Sequence, residues 1–419
     1  MTMVLGGIPA SPVQDTLVIR RQLRRIRLRS LMIALLLITP LFLFLVLTFV
    51  APITLLLVRG VDNGEVARIL PRTATALEGW AGAAVPDEAA FAALAADLKA
   101  APREAVAEAA RRLNYQEPGL RSVLLKSARQ AARIEAPPYR EQLIAIDDSW
   151  ATTRNWQALK QAMPATTDFF LLASLDLRRG ADGAIERTTP DNAVHVEVLV
   201  RTFVVSVSVT LICLLLGYPL AAMIARAPGA LGNLLLILVL LPFWTSLLVR
   251  TTAWVVLLQG RGVINSALIW LGLLQPDQPF ELIYNRIGVL VAMTHILLPF
   301  MVLPIYSVMK GIPPVYLRAA SSLGAPPFSA FWRVYLPMSM PGVSAGCLLV
   351  FILALGYYIT PALVGGPRDQ MISYFIAYYA NQVTNWGMAA ALSGILLVAV
   401  LILYAVYNKL VGVDRLRIG

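Results

Sequence analysis

The sequence is poor in the groups that carry chemistry. Only two cysteines and two histidines occur in 419 residues. Cys213 and Cys347 both fall inside long apolar runs, which excludes a disulfide framework and argues against zinc. His195 and His295 are far apart and lack ligand-spaced neighbours. His295 stands within an apolar run, where an interhelical hydrogen bond is the expected role. No G-x-x-x-x-G-K-[ST] loop is present, so this chain does not hold a nucleotide phosphate in that way. H-E-x-x-H, G-x-S-x-G and C-x-x-C are missing too. Glu141, Asp147 and Asp148 are close in sequence but have no complementary acid or base, and read as a solvated helix face. The expectation is a chain with no catalytic residue, no metal and no cofactor of its own.

Charge is scarce as well, at 14% of residues against 58% hydrophobic, with a mean hydropathy of +0.70. That balance excludes a soluble domain of this length. Six uncharged runs are long enough to cross ~30 Å of hydrocarbon. They are Leu31–Val58, Thr202–Ala225, Leu231–Val249 (extendable to Leu258), Ile287–Met309, Met338–Val364 and Met388–Tyr407. The first is too long for a signal-peptide core and lacks a small-x-small site before Arg59, so an uncleaved anchor is expected. Kinking prolines recur in four of the other five, at Pro219, Pro242, Pro299, Pro304, Pro341 and Pro361. Such breaks survive beside protein or a wet cavity, which favours a pathway-forming bundle over a passive anchor.

Orientation follows from the basic residues near the ends of the runs. With the N-terminus inside, the cytoplasmic segments hold 13 basic residues and two acids, Asp15 and Asp414. Six of the basic residues, from Arg20 to Arg29, precede the first run. The net charge of +11 is explained by this asymmetry and by anionic lipid rather than by nucleic acid. Residues 59–195 carry 17 basic and 18 acidic side chains, which is close to neutral.

Residues 59–195 also differ in composition, being rich in Ala, Glu, Asp and Arg. Helix starts stand at Pro86-Asp87-Glu88 and Pro102-Arg103-Glu104. Phe91, Leu94 and Leu98 form a candidate buried stripe, with Trp80, Leu113, Leu124, Ile134, Trp150, Trp156, Leu159, Phe169, Phe170 and Leu175 as further apolar anchors. Ala181-Asp182-Gly183 reads as a turn, and Pro190-Asp191 as the approach to the second run. A small helical domain outside the membrane is expected.

The most specific pattern lies between the fourth and fifth runs. From 310 to 337 the charges are Lys310, Arg318 and Arg333, with no acid. Pro313-Pro314 suits a first helical turn, Gly324 the left-handed turn after it, and Pro326-Pro327 a second start. Arg318-Ala319-Ala320-x3-Gly324-x9-Val334-x-Leu336-Pro337 resembles the E-A-A-x3-G-x9-I-x-L-P loop of bacterial ABC importer permeases. Arg318 replaces the family's Glu, and Val334 its Ile. Residues 242–250, 298–304, 340–350 and 385–391 are similar to the spermidine/putrescine subfamily of these permeases.

The resemblance implies an all-α integral membrane protein, a six-helix permease bundle with a helical extracytoplasmic insertion between the first and second spans. It implies Arg318, Ala319, Ala320, Gly324, Leu336 and Pro337 as the ATPase-coupling loop. It also implies as partners two ATP-binding cassette subunits, a second permease subunit and a periplasmic binding protein, in a bacterial inner membrane. The expected organisation is a cytoplasmic basic N-terminus at 1–30, the first span at 31–58, and the extracytoplasmic domain at 59–195. A permease core of five spans follows at 196–410, with the coupling loop at 310–337 and a cytoplasmic tail at 411–419. Trp244, Thr245, Tyr357 and Tyr358 are candidates for the solute pathway, although an interfacial aromatic belt accounts for them equally. Val263–Leu274 is expected to lie along the outer interface. The solute class implied is polyamines or related amine-containing compounds. A membrane sensor or scaffold with a ligand-detecting 59–195 domain is the alternative reading.

Overall fold

The computed structural model describes residues 12–180, 183–190 and 193–411. Ala181 and Asp182 of the expected turn, Asp191, and the tail residues Asp414, Arg415 and Arg417 lie outside the described residues. The chain divides into two compact units, Met1–Val58 and Arg59–Gly419.

The first unit is one helical rod: an α-helix at Pro12–Leu45, a π-helical turn at Val46–Val50 and an α-helix at Ala51–Val58. The π turn falls just before Pro52, whose ring lacks an N–H and would crowd the carbonyl one turn back. The same arrangement recurs at Phe331–Tyr335, directly ahead of Pro337. In both places a widened turn lets a proline sit in a continuing helix.

In the second unit, residues 60–175 fold as short helices around one apolar core. Phe91, Leu94, Leu98, Leu113, Leu124, Ile134, Trp150, Trp156 and Leu159 are buried there, as the sequence predicts. Trp156 lies 4.6 Å from Phe91 and 5.2 Å from Trp150, centroid to centroid. Both indole N–H groups are satisfied internally, that of Trp150 by Ser127 Oγ and that of Trp156 by the carbonyl of Trp150. Asp87 caps the Glu88–Ala100 helix by accepting from Ala90 N. The buried Asp97 carboxylate accepts from the backbone N–H and the hydroxyl of Thr73, both at 2.8 Å. Leu175 departs from expectation: it is exposed, because the Phe169–Ser174 helix ends just before it. Beyond it, Leu177–Arg179 and Ile185–Arg187 pair as a small antiparallel hairpin, a local exception to the all-helical architecture.

Five long apolar helices follow: His195–Arg226, Leu247–Trp270, Arg286–Lys310, Pro327–Gly356 and Trp386–Lys409. With Arg29–Val58 they make, among the described residues, six helices long and apolar enough to cross a membrane, here called the first to sixth spans. The second, fourth and fifth pack into the bundle core through Val205, Val209, Met293, Met301, Val343 and Val350, among others. Gly342 and Gly346 permit this closeness. A Cβ at Gly342 would lie 2.8 Å from the Pro304 carbonyl, and one at Gly346 would lie 2.9 Å from Met301 Sδ. Small residues one turn apart are how membrane helices bring their backbones together.

Two span boundaries differ from the sequence reading. The third span is not Leu231–Val249. A shorter helix at Gly229–Leu240 stops at a 3-10 turn over Leu241–Trp244, and a new helix starts at Leu247, capped by Ser246 accepting from Val249 N. Pro242 has no N–H to continue the first helix, and Ser246 is a strong N-cap. The expected interfacial helix is the Val263–Trp270 piece of this third stretch, set off by a break at 259–262. The fifth span ends at Gly356 rather than Val364. Tyr357 is extended and a separate helix, Ile359–Val364, carries Pro361 in its first turn, where a missing N–H costs nothing.

Candidate functional site

The helix Val315–Ser322 follows the fourth span after a turn at Gly311–Pro313, with Pro314 at its N-cap position. Its end is a complete Schellman arrangement. Ala325 N donates to Ala320 O and Gly324 N to Ser321 O, both at 3.0 Å, with Gly324 at φ +84°. That is the left-handed turn read from the sequence, and it needs glycine because a Cβ there is strained. The short helix Pro327–Ala330 is the first turn of the fifth span.

The elbow has two faces. Ile312, Leu317 and Phe331 pack on the bundle core. On the other side Val315, Tyr316, Leu323, Phe328 and Trp332 are exposed, Leu323 at 89% and Phe328 at 74%. Arg318, Ala319, Gly324 and Pro337 are exposed too, while Ala320 and Leu336 are half-buried. Among the described residues Lys310, Arg318 and Arg333 form no ion pair. The surface is therefore apolar at its centre and wholly basic at its margins. Behind it, the Arg226 guanidinium sits 4.6 Å from the Tyr335 ring centre, and Tyr218 shares a 3.0 Å hydrogen bond with Ser339. These contacts join the second and fifth spans beside the elbow.

The other named candidates are dispersed. Trp244 is 86% exposed and Thr245 lies beside it in the 3-10 turn, its hydroxyl donating to Pro242 O at 2.9 Å. Tyr357 packs against the bundle core, whereas Tyr358 is 41% exposed. Among the described residues no ring contact or hydrogen bond brings Trp244 or Thr245 to either tyrosine. What joins their neighbourhoods is Thr251 Oγ1 to Thr360 Oγ1 at 3.2 Å. His295 Nδ1 accepts from Trp254 Nε1 at 3.1 Å, an interhelical hydrogen bond as expected of it.

Three groupings escaped the sequence reading. Asp176, at φ +56°, caps the second span by accepting from His195 N and Val196 N. The His195 ring bridges Asp176 Oδ1 at 3.1 Å and Tyr379 OH at 3.2 Å, and burial pushes the Tyr379 phenol up from its ordinary pKa. Phe170 packs over Gly387 at the start of the sixth span. A cleft of about 340 Å³ lies between the 59–175 helices and the segment 384–387. Long-range partners of this kind have no local signal in sequence. Of the carboxylates singled out earlier, Asp147 pairs with Lys126 at 3.1 Å, and a hydrogen bond from Ser149 chiefly holds its carboxyl below the usual range. Among the described residues no group of three or more His, Cys, Asp or Glu side chains is placed to hold a metal.

Comparison with known proteins bears on the span-and-elbow arrangement. Residues 217–411 match the family described as binding-protein-dependent transport system inner membrane component. Over 213 residues the chain is 36% identical to the spermidine/putrescine transport system permease protein PotB of Escherichia coli (strain K12), covering 51% of this chain and 77% of that one. It is 37% identical over 224 residues to the protein of the same name from Haemophilus influenzae, covering 53% and 78%. The chain belongs to this family of permeases. A solved chain titled as a bacterial alginate ABC transporter in complex with an alginate pentasaccharide-bound periplasmic protein aligns at 20% identity with a TM-score of 0.42, covering 51% of this chain and 77% of that one.

As a binding-protein-dependent permease, the chain is a multi-pass inner-membrane transport subunit and not an enzyme. Membership decides against the sensor or scaffold alternative. The elbow at 310–337 lies inside the matched region. The first span and the 59–195 domain lie outside it.

Proposed function

We propose that this permease moves polyamines or related amine-containing small solutes, powered by separate ATP-binding cassette subunits that dock on the 310–337 elbow. The observation that carries the docking half is the elbow itself. Exposed Tyr316, Leu323, Phe328 and Trp332 offer an apolar centre to a partner groove, and Arg318 and Arg333 offer a basic margin. Exposed apolar patches rimmed by charge are what protein partners cover. Because Arg318 replaces an acid, the matching groove is expected to present a carboxylate. Closure of the ATPase pair on ATP would shift the Val315–Ser322 helix, and the continuous Pro327–Gly356 helix would carry that movement into the bundle.

The solute half is supported by the relatives named for spermidine and putrescine. A second permease subunit and a periplasmic binding protein complete the assembly in this reading. The N- and C-termini and the elbow face the cytoplasm, and the 59–195 domain faces outward as a platform for the binding protein. That domain grips the start of the sixth span through Tyr115 OH to Val383 O and Arg111 Nη1 to Thr384 Oγ1, each at 3.2 Å. Force applied to the platform would therefore reach the bundle. Uptake of labelled spermidine in a deletion strain, complemented by this chain and competed with putrescine and opine-like compounds, tests the solute. Uptake that depends on this chain but is indifferent to every amine competitor would refute the class.

A further inference from the structure

The cleft beside the sixth span has a lining that its own residues leave uncompensated. Six charged side chains face it: Arg59, Asp62, Glu65, Glu108, Arg111 and Arg112. Among the described residues none of the six takes part in an ion pair within 4.0 Å. Three cations and three anions thus share about 340 Å³ without neutralising one another at contact distance. On the Arg103–Gln116 helix, Glu108, Arg111, Arg112 and Tyr115 recur at the spacing of one helix face, so a single element presents both signs and an aromatic ring to the opening.

Arg112 is the critical member, at 5% exposure. Its Nε and Nη2 donate to Asn63 Oδ1 at 3.0 and 2.7 Å, and Nη1 reaches Gln116 Oε1 at 3.4 Å. Its planar face rests on the rings of Phe169 and Phe170, at 5.1 and 4.7 Å. Amide oxygens and ring faces hold the group in place but supply no opposite charge. Burial lowers its pKa to about 10, against the pull of Glu65. A buried cation lacking a carboxylate is costly, and a ligand that supplies one is favoured by that cost.

We propose that this cleft binds a small zwitterion, with a carboxylate placed against Arg111 and Arg112 and an ammonium against Glu65 and Glu108. The fork of a guanidinium matches a carboxylate, and the half-exposed Trp386 ring offers a face for the ammonium end. The charge balance excludes the neighbouring classes. A diamine leaves Arg112 uncompensated and faces two further arginines. A dicarboxylate brings a second negative charge to three acids. The site stands apart from the transport reading, since it needs neither the ATPase nor a particular transported solute.

Three four-carbon compounds that differ only in their end groups separate the classes: putrescine, 4-aminobutyrate and succinate. Saturable binding of labelled 4-aminobutyrate to the full-length chain in lipid nanodiscs is the measurement. The proposal expects putrescine and succinate to compete at least roughly tenfold more weakly than unlabelled 4-aminobutyrate. Glu108→Gln and Arg111→Gln alter exposed rim positions and keep the fold. The first is expected to weaken 4-aminobutyrate several-fold and improve succinate, and the second to weaken it and improve putrescine. Arg112→Lys, which keeps the charge but loses the fork, is expected to weaken binding about tenfold. Absence of saturable 4-aminobutyrate binding, equal or better competition by either homologue, or binding unmoved by both rim variants would overturn the proposal. None of these results would bear on amine uptake by cells, so failure here and failure of the transport reading are distinguishable.

Discussion

Phe170 occupies the space where a side chain at Gly387 would have to stand. A Cβ built on Gly387 would lie 2.4 Å from Phe170 Cε2 and 2.5 Å from its Cζ. Phe170 is 3% exposed, with the Arg112 guanidinium 4.7 Å from its ring centre, so it has little freedom to swing aside. This ring and this glycine are one of the points at which the 59–175 helices meet the sixth span.

Gly387→Ala is therefore expected to destabilise that seating by about 1–3 kcal/mol, the usual cost of overpacking. Phe170→Leu in the same background is expected to recover part of the loss, since the two positions are in direct contact. Thermal unfolding of the single and double variants in nanodiscs checks this. Additive effects of the two substitutions would show that the contact is not decisive.

Gly324→Val places a β-branched residue at φ +84°, where a Cβ costs roughly 1–2 kcal/mol. No atom lies within 4 Å of the added Cβ, so the effect acts on the turn and not on packing. Normal amounts of protein in the membrane are expected, with uptake lost or uncoupled from ATP hydrolysis. Immunoblotting of membranes beside uptake and hydrolysis assays distinguishes this from misfolding.

Much of this elbow is legible in sequence because its determinants are local. Gly324 has a positive φ, Pro327 opens a helix, and the spacing to Leu336-Pro337 sets the length between them. The apolar core of the 59–175 helices is legible for the same reason, since Phe91, Leu94 and Leu98 mark one face of a helix. The span boundaries near prolines are less so. Pro40 and Pro341 sit inside continuing helices, whereas Pro242 and Pro361 stand at breaks. At Pro242 a new cap, Ser246, is at hand to start the next helix. The cleft and the His195 bridge are not legible at all, because Asp176 and Tyr379 come from 19 and 184 residues away.

Arg318→Glu is expected to impair coupling more than Arg318→Ala does. A like charge would then face the carboxylate expected in the partner's groove. A rim pair is worth about 1 kcal/mol or less and fades with salt, so the gap between the two variants should narrow as ionic strength rises. ATPase stimulation measured across a salt series checks this. Wild-type stimulation in Arg318→Glu would remove the electrostatic role.

The basic residues flanking the spans predict where reporter fusions will land. Fusions after Ala225 and after Gly324 are expected to report the cytoplasm, and fusions within 80–180 or at 275–280 the outside. A cytoplasmic signal from 80–180 would invert the platform and remove its access to a periplasmic partner.

The central claim is that this permease is driven through its elbow by a separate ATPase. It is tested most directly by purifying a tagged chain from its native membranes and measuring ATP hydrolysis in the material retained. The account predicts that an ATP-binding cassette subunit accompanies the wild-type chain and that solute-loaded binding protein stimulates its hydrolysis. It predicts further that Gly324→Val abolishes this stimulation. Retention of an intact wild-type chain without any such subunit, or full stimulation in Gly324→Val, would contradict it.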